Sequence, residues 1–271
     1  TLIKDIKTFG GEDALEPEFG VVFMSVLFND DVPVSTVNVT KQSISDLAEQ
    51  LSVASFNLKF SDPITTFVES RTFFQFNPRL TTLSRNTIQD NAQSAIDGYF
   101  NTNTGLFGQS FRRSNMLTLV DAVSPAILSS RAEIFMQRRF TPLLTRIQDH
   151  TLRYPVGIAA PDDENYRIVS TAFSYKSQTC IIRNKLSSNK LEVYDQGNNI
   201  VIIDNVGDYS GDTVSIVGLQ IDGVIGGGDV IKLSVKPANE SAISPLRQDI
   251  LEYDASQSFT RVVDIDTGIT N

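Results

Sequence analysis

The sequence has no tryptophan, a single cysteine and a single histidine, and these shortages exclude several kinds of site. One cysteine cannot form a disulfide within the chain. A catalytic triad or a Cys–His pair would have to use His150, but Cys180 lies far from it along the chain and in no recognisable nucleophile motif. We interpret Cys180 as a small buried apolar residue. Because a structural zinc site takes about four Cys or His ligands, we expect no zinc site and no cofactor.

Hydrophobic runs are also short. None approaches the ~20 residues of a membrane-spanning helix, so we expect no membrane insertion. The longest, Gly20–Phe28, has the length of a strand, and no secretory signal pattern is visible. The net charge of −9 argues against a nucleic-acid partner. The pairs Arg112–Arg113 and Arg138–Arg139 are interpreted as surface residues or local ion pairs, with a docking patch for an acidic partner as the alternative.

Carboxylates are plentiful, yet their spacing singles out no catalytic or metal-binding set. Asp204–Asp212 offers oxygen ligands for calcium but lacks EF-hand spacing, and we interpret it as a solvated turn. Asp266-Thr267-Gly268 resembles an aspartic-protease loop only superficially, since the chain ends three residues later, and we interpret it as a strand end and turn. Gly226-Gly227-Gly228 lacks the Lys-Ser/Thr of a phosphate loop and predicts a hairpin between Val224 and Val230. A glycosidase-like carboxylate pair stays open.

With 271 residues the chain favours two domains. In residues 1–140, segments whose apolar residues follow the two-residue period of a strand alternate with segments that follow the 3.6-residue period of a helix. This pattern predicts strands at Gly20–Phe28, Ile64–Phe76 and Leu128–Phe140 and helices at Ser43–Ser55, Arg85–Phe100 and Asn115–Val123. Ser43 with Asp46 is a candidate capping box, and Ser114 a candidate N-cap. The apolar sides of the helices and of two strands need one another to be removed from water, which predicts one core that contains Phe74, Ile88, Ile96, Tyr99 and Ile134. Leu128 is expected on the apolar face of its strand, and Glu69 and Gln137 on polar faces.

Residues 141–165 carry three prolines and an acidic run, which predicts a connector. From 166 to 271 the helical period disappears, and short β-rich runs alternate with turns, as in an antiparallel sandwich or barrel. The runs are Tyr166–Phe173, Thr179–Arg183, Leu191–Tyr194, Ile200–Ile203, Val214–Ile221, Val230–Val235, Asp249–Tyr253 and Phe259–Ile265. The sequence therefore predicts an α+β protein, in which an α/β-type module with helices covering a sheet is followed by an antiparallel all-β domain.

One set of features lies within Ile64–Phe140: an alternating strand at Thr66–Phe73, the segment Ile96–Phe100 in a helix, Gly108–Phe111 before a short helix, and a final crossing strand. This set resembles the C-terminal part of the phage baseplate J-like family, although Ser124-Pro125-Ala126 replaces a Gly-Val pair usual there. The added β-rich part, the many phenylalanines and the negative charge are more similar to wedge proteins of T-even-type contractile phages.

The resemblance implies a structural subunit without catalytic residues, placed in the tail baseplate of the virion and assembled in the host cytoplasm. It implies association with itself, as a dimer or ring, and with other wedge and hub proteins. A candidate contact is Leu106 with Phe107, an adjacent apolar pair between glycines in a predicted surface loop. The alternative function is a β-sandwich binding module, adhesin-like or carbohydrate-binding, on an α/β base; an enzyme ranks third.

Overall fold

The computed structural model describes residues 2–13, 17–51 and 57–263. Within them the chain is α+β, with three α-helices and a larger share of strand. Among these described residues no helix is both long and apolar enough to cross a bilayer.

The first unit is a small sheet with one helix. It contains β1 (Ile3–Gly10), β2 (Val21–Phe28), α1 (Val34–Leu51) and β3 (Asn57–Phe60), and β2 lies between antiparallel β1 and parallel β3. The prediction that this helix begins near Ser43 was wrong. The carbonyl of Pro33 accepts the N–H groups of Thr36 and Val37, so the helix starts at Val34, directly after the proline. The Ser43 hydroxyl donates to Val39 O at 3.0 Å inside the helix. The predicted end at Ser55 lies outside the described residues.

A long strand pair with two helices follows. Its elements are β4 (Ile64–Phe76), α2 (Arg85–Asn103), β5 (Phe111–Arg112), α3 (Arg113–Asp121) and β6 (Ile127–Phe140), and β4 is antiparallel to β6. Ser84 caps α2 by accepting the Thr87 N–H at 3.1 Å. The predicted Ser114 cap of α3 was wrong, because the helix begins at Arg113, whose N–H donates to the distant Ser241 carbonyl at 3.0 Å.

The core predicted between these elements is confirmed. Phe74, Ile88, Ile96, Tyr99 and Ile134 are all buried in one hydrophobic cluster. Leu128 was expected on the apolar face of its strand, which was wrong, since it is 48% exposed. The β4–β6 register shifts between Gln75 and Phe76, at the end where Ile127 rather than Leu128 is buried.

Twelve further strands follow β6 in the described residues. They are β7 (Ile147–Arg153), β8 (Ile168–Ser170), β9 (Phe173–Tyr175), β10 (Gln178–Asn184), β11 (Lys190–Asp195), β12 (Ile200–Ser210), β13 (Thr213–Gln220), β14 (Gly223–Val224), β15 (Ile231–Val235), β16 (Ala242–Ile243), β17 (Asp249–Tyr253) and β18 (Phe259–Val263). Most strand predictions between residues 179 and 253 match this part closely, but the run predicted at Ile200–Ile203 extends to Ser210, and β14 and β16 were not predicted. β7 lies within the predicted connector, and the last residues of the run predicted to end at Ile265 lie outside the described ranges, as does Asp266-Thr267-Gly268.

One large sheet passes through both halves of the chain. Its main path is β17-β4-β6-β15-β8-β10-β11-β12-β13-β7, with β18 also on β4, and β9 on β10 and β14. The last two strands pair with β4 in parallel, one after the other along it, a pairing that no local sequence pattern indicated. The boundaries of the two modules stay a prediction, since β15 from the second half pairs directly with β6 from the first.

The predicted hairpin at Gly226–Gly228 was wrong in its pairing. The three glycines do have positive φ, at 100°, 83° and 103°, which favours glycine there. The strands on either side do not pair with each other, however: β14 pairs with β9, and β15 with β6 and β8. The glycine loop therefore carries the chain from one part of the sheet to another.

Candidate interaction surfaces

The structure does not bring the single histidine and the single cysteine together. His150 lies in β7, opposite Ile216, with its ring 4.2 Å from that of Phe140. Cys180 is fully buried in β10, three strands away along the sheet from the β13 partner of His150. Burial lowers the pKa of His150 and raises the pKa of the Cys180 thiol, so each is held towards its neutral form.

The carboxylates of 204–212 belong to a strand and a turn rather than to a ligand loop. Each has a basic partner at 2.8 Å: Asp204 has Lys185, Asp208 has Lys190 and Asp212 has Arg153. In the described part of the chain, no group of three or more His, Cys, Asp or Glu residues is placed to hold a metal ion. The acidic character of this segment is thus used in local ion pairs.

The loop containing Leu106 and Phe107 lies against the outer edge of β17. Gly105 N–H donates to Leu251 O at 2.8 Å, and Phe107 forms an isolated bridge with Ile250. The Phe107 N–H also donates to Asp5 Oδ2 at 2.9 Å, which ties the loop to β1. Leu106 and Phe107 are both half-buried. The loop protects an edge that would otherwise present unpaired backbone groups, and its two apolar side chains keep part of their surface in solvent.

A buried polar cluster crosses the middle of the large sheet. Gln137, on β6, is fully buried, and its Nε2 donates to Glu69 Oε1 at 2.6 Å and to Asp254 Oδ2 at 2.9 Å. Asp254 Oδ2 also accepts from Lys232 Nζ at 2.7 Å and from Arg139 Nη2 at 3.0 Å. Glu69 and Gln137 were expected on the polar faces of their strands, and both are buried. Their alternation was correctly predicted, but the Asp254–Ser258 loop covers that face, since Asp254 N–H bonds to Val68 O and Ser258 Oγ accepts Ser70 N–H.

The pKa values of the two carboxyl groups in this cluster are shifted in opposite directions. Burial raises the pKa of Glu69 above its ordinary value, and the hydrogen bonds from Ser234 and Gln137 offset only part of that effect. Burial also opposes ionisation of Asp254, but the hydrogen bonds from Lys232, Ser256 and Gln137 hold the pKa of this carboxyl well below its usual range. The cluster therefore fixes the β17–β18 connection onto β4 and β6 with an ionised Asp254.

Arg138 joins three strands that are distant in sequence. Its Nε donates to Arg153 O in β7 at 2.8 Å, its Nη1 to Thr65 O in β4 at 2.9 Å, and its Nη2 to Asp249 Oδ2 in β17 at 3.2 Å. β7 and β17 are the two ends of the main strand path, so the sheet curls back on itself until its ends meet at Arg138. Arg138 is 7% exposed, and burial raises the pKa of Asp249 despite this partner. Sequence alone left Arg138–Arg139 as either ion pairs or a docking patch.

A cleft of about 750 Å³ opens where the ends of the sheet meet. Arg138 and Arg139 line it from β6, Arg153 from β7, and Arg247 from the loop before β17. Three of the four arginines have carboxylate partners: Arg138 with Asp249, Arg139 with Asp254 and Arg153 with Asp212. The apolar part of the lining includes Ile64, Phe67, Leu152 and Leu246. This combination of apolar walls and basic groups suits a ligand with both apolar and anionic groups.

Comparison with known proteins gives one family match. Residues 65–139 match the model of "Baseplate structural protein gp6, C-terminal domain III". The match covers a little over a quarter of the chain, and it extends from the second residue of β4 to the residue before the end of β6. Nothing among the curated proteins matches the chain. The strand pair that holds Gln137 and Arg138 is therefore similar to a domain of a baseplate structural protein, which supports a structural role in the tail baseplate of a phage virion.

Proposed function

We propose that the chain is a non-enzymatic subunit of a phage tail baseplate that associates with itself and links neighbouring wedges into a ring around the tail hub. The observation that carries the proposal is the family match over residues 65–139. The matched strand pair is also where the fold converges, because β15, β17 and β18 all pair onto β4 or β6. Such a subunit of a T-even-type wedge, related to the J-like family, would assemble in the host cytoplasm before it enters the virion.

Ring growth requires surfaces that allow each subunit to contact two neighbours. The loop with Leu106 and Phe107 is our candidate for one of them. The backbone of this loop is held by Leu251, Ile250 and Asp5, so its apolar side chains are presented from a fixed frame. A stable interface buries about 1,200–2,000 Å² in total, so the loop would form one part of a larger contact.

The double substitution Leu106→Ser, Phe107→Ser tests this contact. The matched control is Leu143→Ser, Leu144→Ser, another adjacent apolar pair in a loop, 55% and 48% exposed. Light scattering measures mass and a thermal melt measures stability. We expect the first variant to lose the dimer with an unchanged melting temperature and the control to keep it. An intact dimer with a lower melting temperature in the first variant would assign the pair to the core instead.

The baseplate role has a separate test in the phage itself. A nonsense mutation in the gene for this chain should prevent completion of baseplates, and supplying the chain from a plasmid should restore them. Mass spectrometry of purified tails should find the chain in fixed ratio to other baseplate proteins. Infectious particles with normal baseplates in the absence of the chain would contradict the proposal.

A further inference from the structure

The free edge of β7 and the arginine-lined cleft beside it form one continuous surface. We propose that this surface docks an extended, acidic segment of another baseplate protein, which adds a strand to β7 and places a carboxylate on Arg247. The inference deepens the proposed function, on which it rests, by naming the chemistry of one partner.

The first observation is the outer edge of β7, which no described strand covers, although the side chain of Arg138 binds one of its carbonyls, that of Arg153. Among the described strands β7 pairs only with β13. Tyr154 N–H donates to Asp212 O at 2.8 Å on the β13 side. Hydrogen bonds alternate along an antiparallel strand, so the backbone groups of Thr151 and Asp149 point to the opposite, open side. Arg153 O confirms that direction, because it accepts from Arg138 on the cleft side.

The second observation is the contrast with the other end of the sheet. The outer edge of β17 is covered by the loop that contains Phe107, which bridges to Ile250. Proteins usually protect an edge strand with a loop, a proline or inward charges, because an open edge pairs with other chains. The open side of β7 contains no proline and faces a cleft, and Ile147 at its start is 71% exposed. An added strand would find its backbone partners along this edge.

The third observation is charge. Arg247 has no carboxylate within ion-pair distance in the described ranges, in contrast to the other three arginines of the cleft. It lies between Leu246, which is 51% exposed, and Gln248, in a chain whose net charge is −9. Arg247 acts electrostatically on Asp249, but that carboxylate already pairs with Arg138, so the four arginines of the cleft share three carboxylates and leave an excess of positive charge. A carboxylate would complement it, and bidentate pairing is the geometry that arginine favours.

These observations together specify the occupant. A segment that carries both carboxylates and apolar side chains could reach Arg247 and also contact Leu152, Ile64 and Leu246, which line the same cleft. A second copy of this chain fits less well. Two exposed acidic pairs of the described residues are not extended: Asp30-Asp31 lies in a turn, and Asp163-Glu164 lies in a bend that Asp162 stabilises by accepting the N–H of Glu164 at 2.8 Å. Neither can pair along an edge strand in this fold, which favours a different protein.

The test places a photo-crosslinking p-benzoylphenylalanine at position 151 of the full chain, in tails purified from phage. Thr151 is exposed and lies on the open edge. The matched position is Val217, 57% exposed on the neighbouring strand β13 and away from the cleft. We expect position 151 to give a crosslink to a segment of another baseplate protein rich in Asp or Glu, identified by mass spectrometry, and position 217 to lack it.

Charge reversal at Arg247 completes the test. Arg247→Glu should lower the yield of this crosslink at least tenfold. Arg146→Glu makes the same change at an exposed arginine outside the cleft and should leave the crosslink yield unchanged. If Arg247→Glu impairs folding, Arg247→Gln removes the positive charge in its place. No crosslink from position 151, a crosslink to a second copy, or a yield insensitive to Arg247 would overturn the docking site alone. Absence of the chain from purified tails would instead overturn the proposed function.

Discussion

Replacing Arg138 with methionine should show how strongly the meeting point of the sheet contributes to stability. The substitution keeps an unbranched side chain but removes three hydrogen bonds, at 2.8, 2.9 and 3.2 Å, to β7, β4 and β17. It also leaves Asp249, itself 8% exposed, without its buried partner. Breaking a buried ion pair from one side costs about 3–5 kcal/mol, because the remaining charge stays desolvated, and we expect Arg138→Met to lower the free energy of unfolding by that amount.

Urea denaturation followed by circular dichroism measures this loss. Arg146→Met is the matched control, because Arg146 is exposed and its side chain has no ion-pair partner among the described residues, so its effect should stay within about 0.5 kcal/mol. The double variant Arg138→Met, Asp249→Asn should recover part of the loss, since it removes the stranded charge. Equal losses in Arg138→Met and Arg146→Met, or no recovery in the double variant, would refute the reasoning.

Three further predictions concern the core and the polar cluster. Ile96→Ala should lower the free energy of unfolding by about 2–5 kcal/mol, because Ile96 is 1% exposed; a loss under about 0.5 kcal/mol in the same assay would contradict its burial. Burial raises the pKa of Glu69 above 4.5, so its stabilising contribution is full below that pH and is lost as pH rises through the folded pKa. The Glu69→Gln variant should thus be at least as stable as the wild type at about pH 7, and its free energy of unfolding should depend less on pH. A free energy of unfolding more than about 1 kcal/mol below that of the wild type would count against this. The pKa of Asp254 is lowered from 3.8, so its contribution is present above that pH and disappears as pH falls through the folded pKa. Asp254→Asn should cost about 1.5–3 kcal/mol at neutral pH and progressively less in acid; a pH-independent difference would oppose the assignment.

Several elements follow from the sequence because their causes are local. α2 begins after Ser84 and buries Ile88 and Ile96 because a capping side chain and a 3.6-residue period lie within a few residues of each other. The alternation of β4 and β6 was visible for the same reason, since backbone geometry alone sends successive side chains to opposite faces. The start of α1 was missed because Pro33 initiates a helix through residues of weak helical propensity, among them Val34 and Val37.

Sequence also determined that the chain is a mixture of α and β elements. Tertiary structure alone decided which strands became partners and which polar faces were covered. β17 and β18 pair with β4, far earlier in the chain, and the loop between them buries Glu69 and Gln137. In the same way, long-range packing placed Arg138 between the ends of the sheet and left Arg247, in the cleft beside it, without a carboxylate at ion-pair distance among the described residues. Local periodicity fixes the direction of a side chain, whereas its environment depends on long-range packing among segments whose sequence separation carries no local signal.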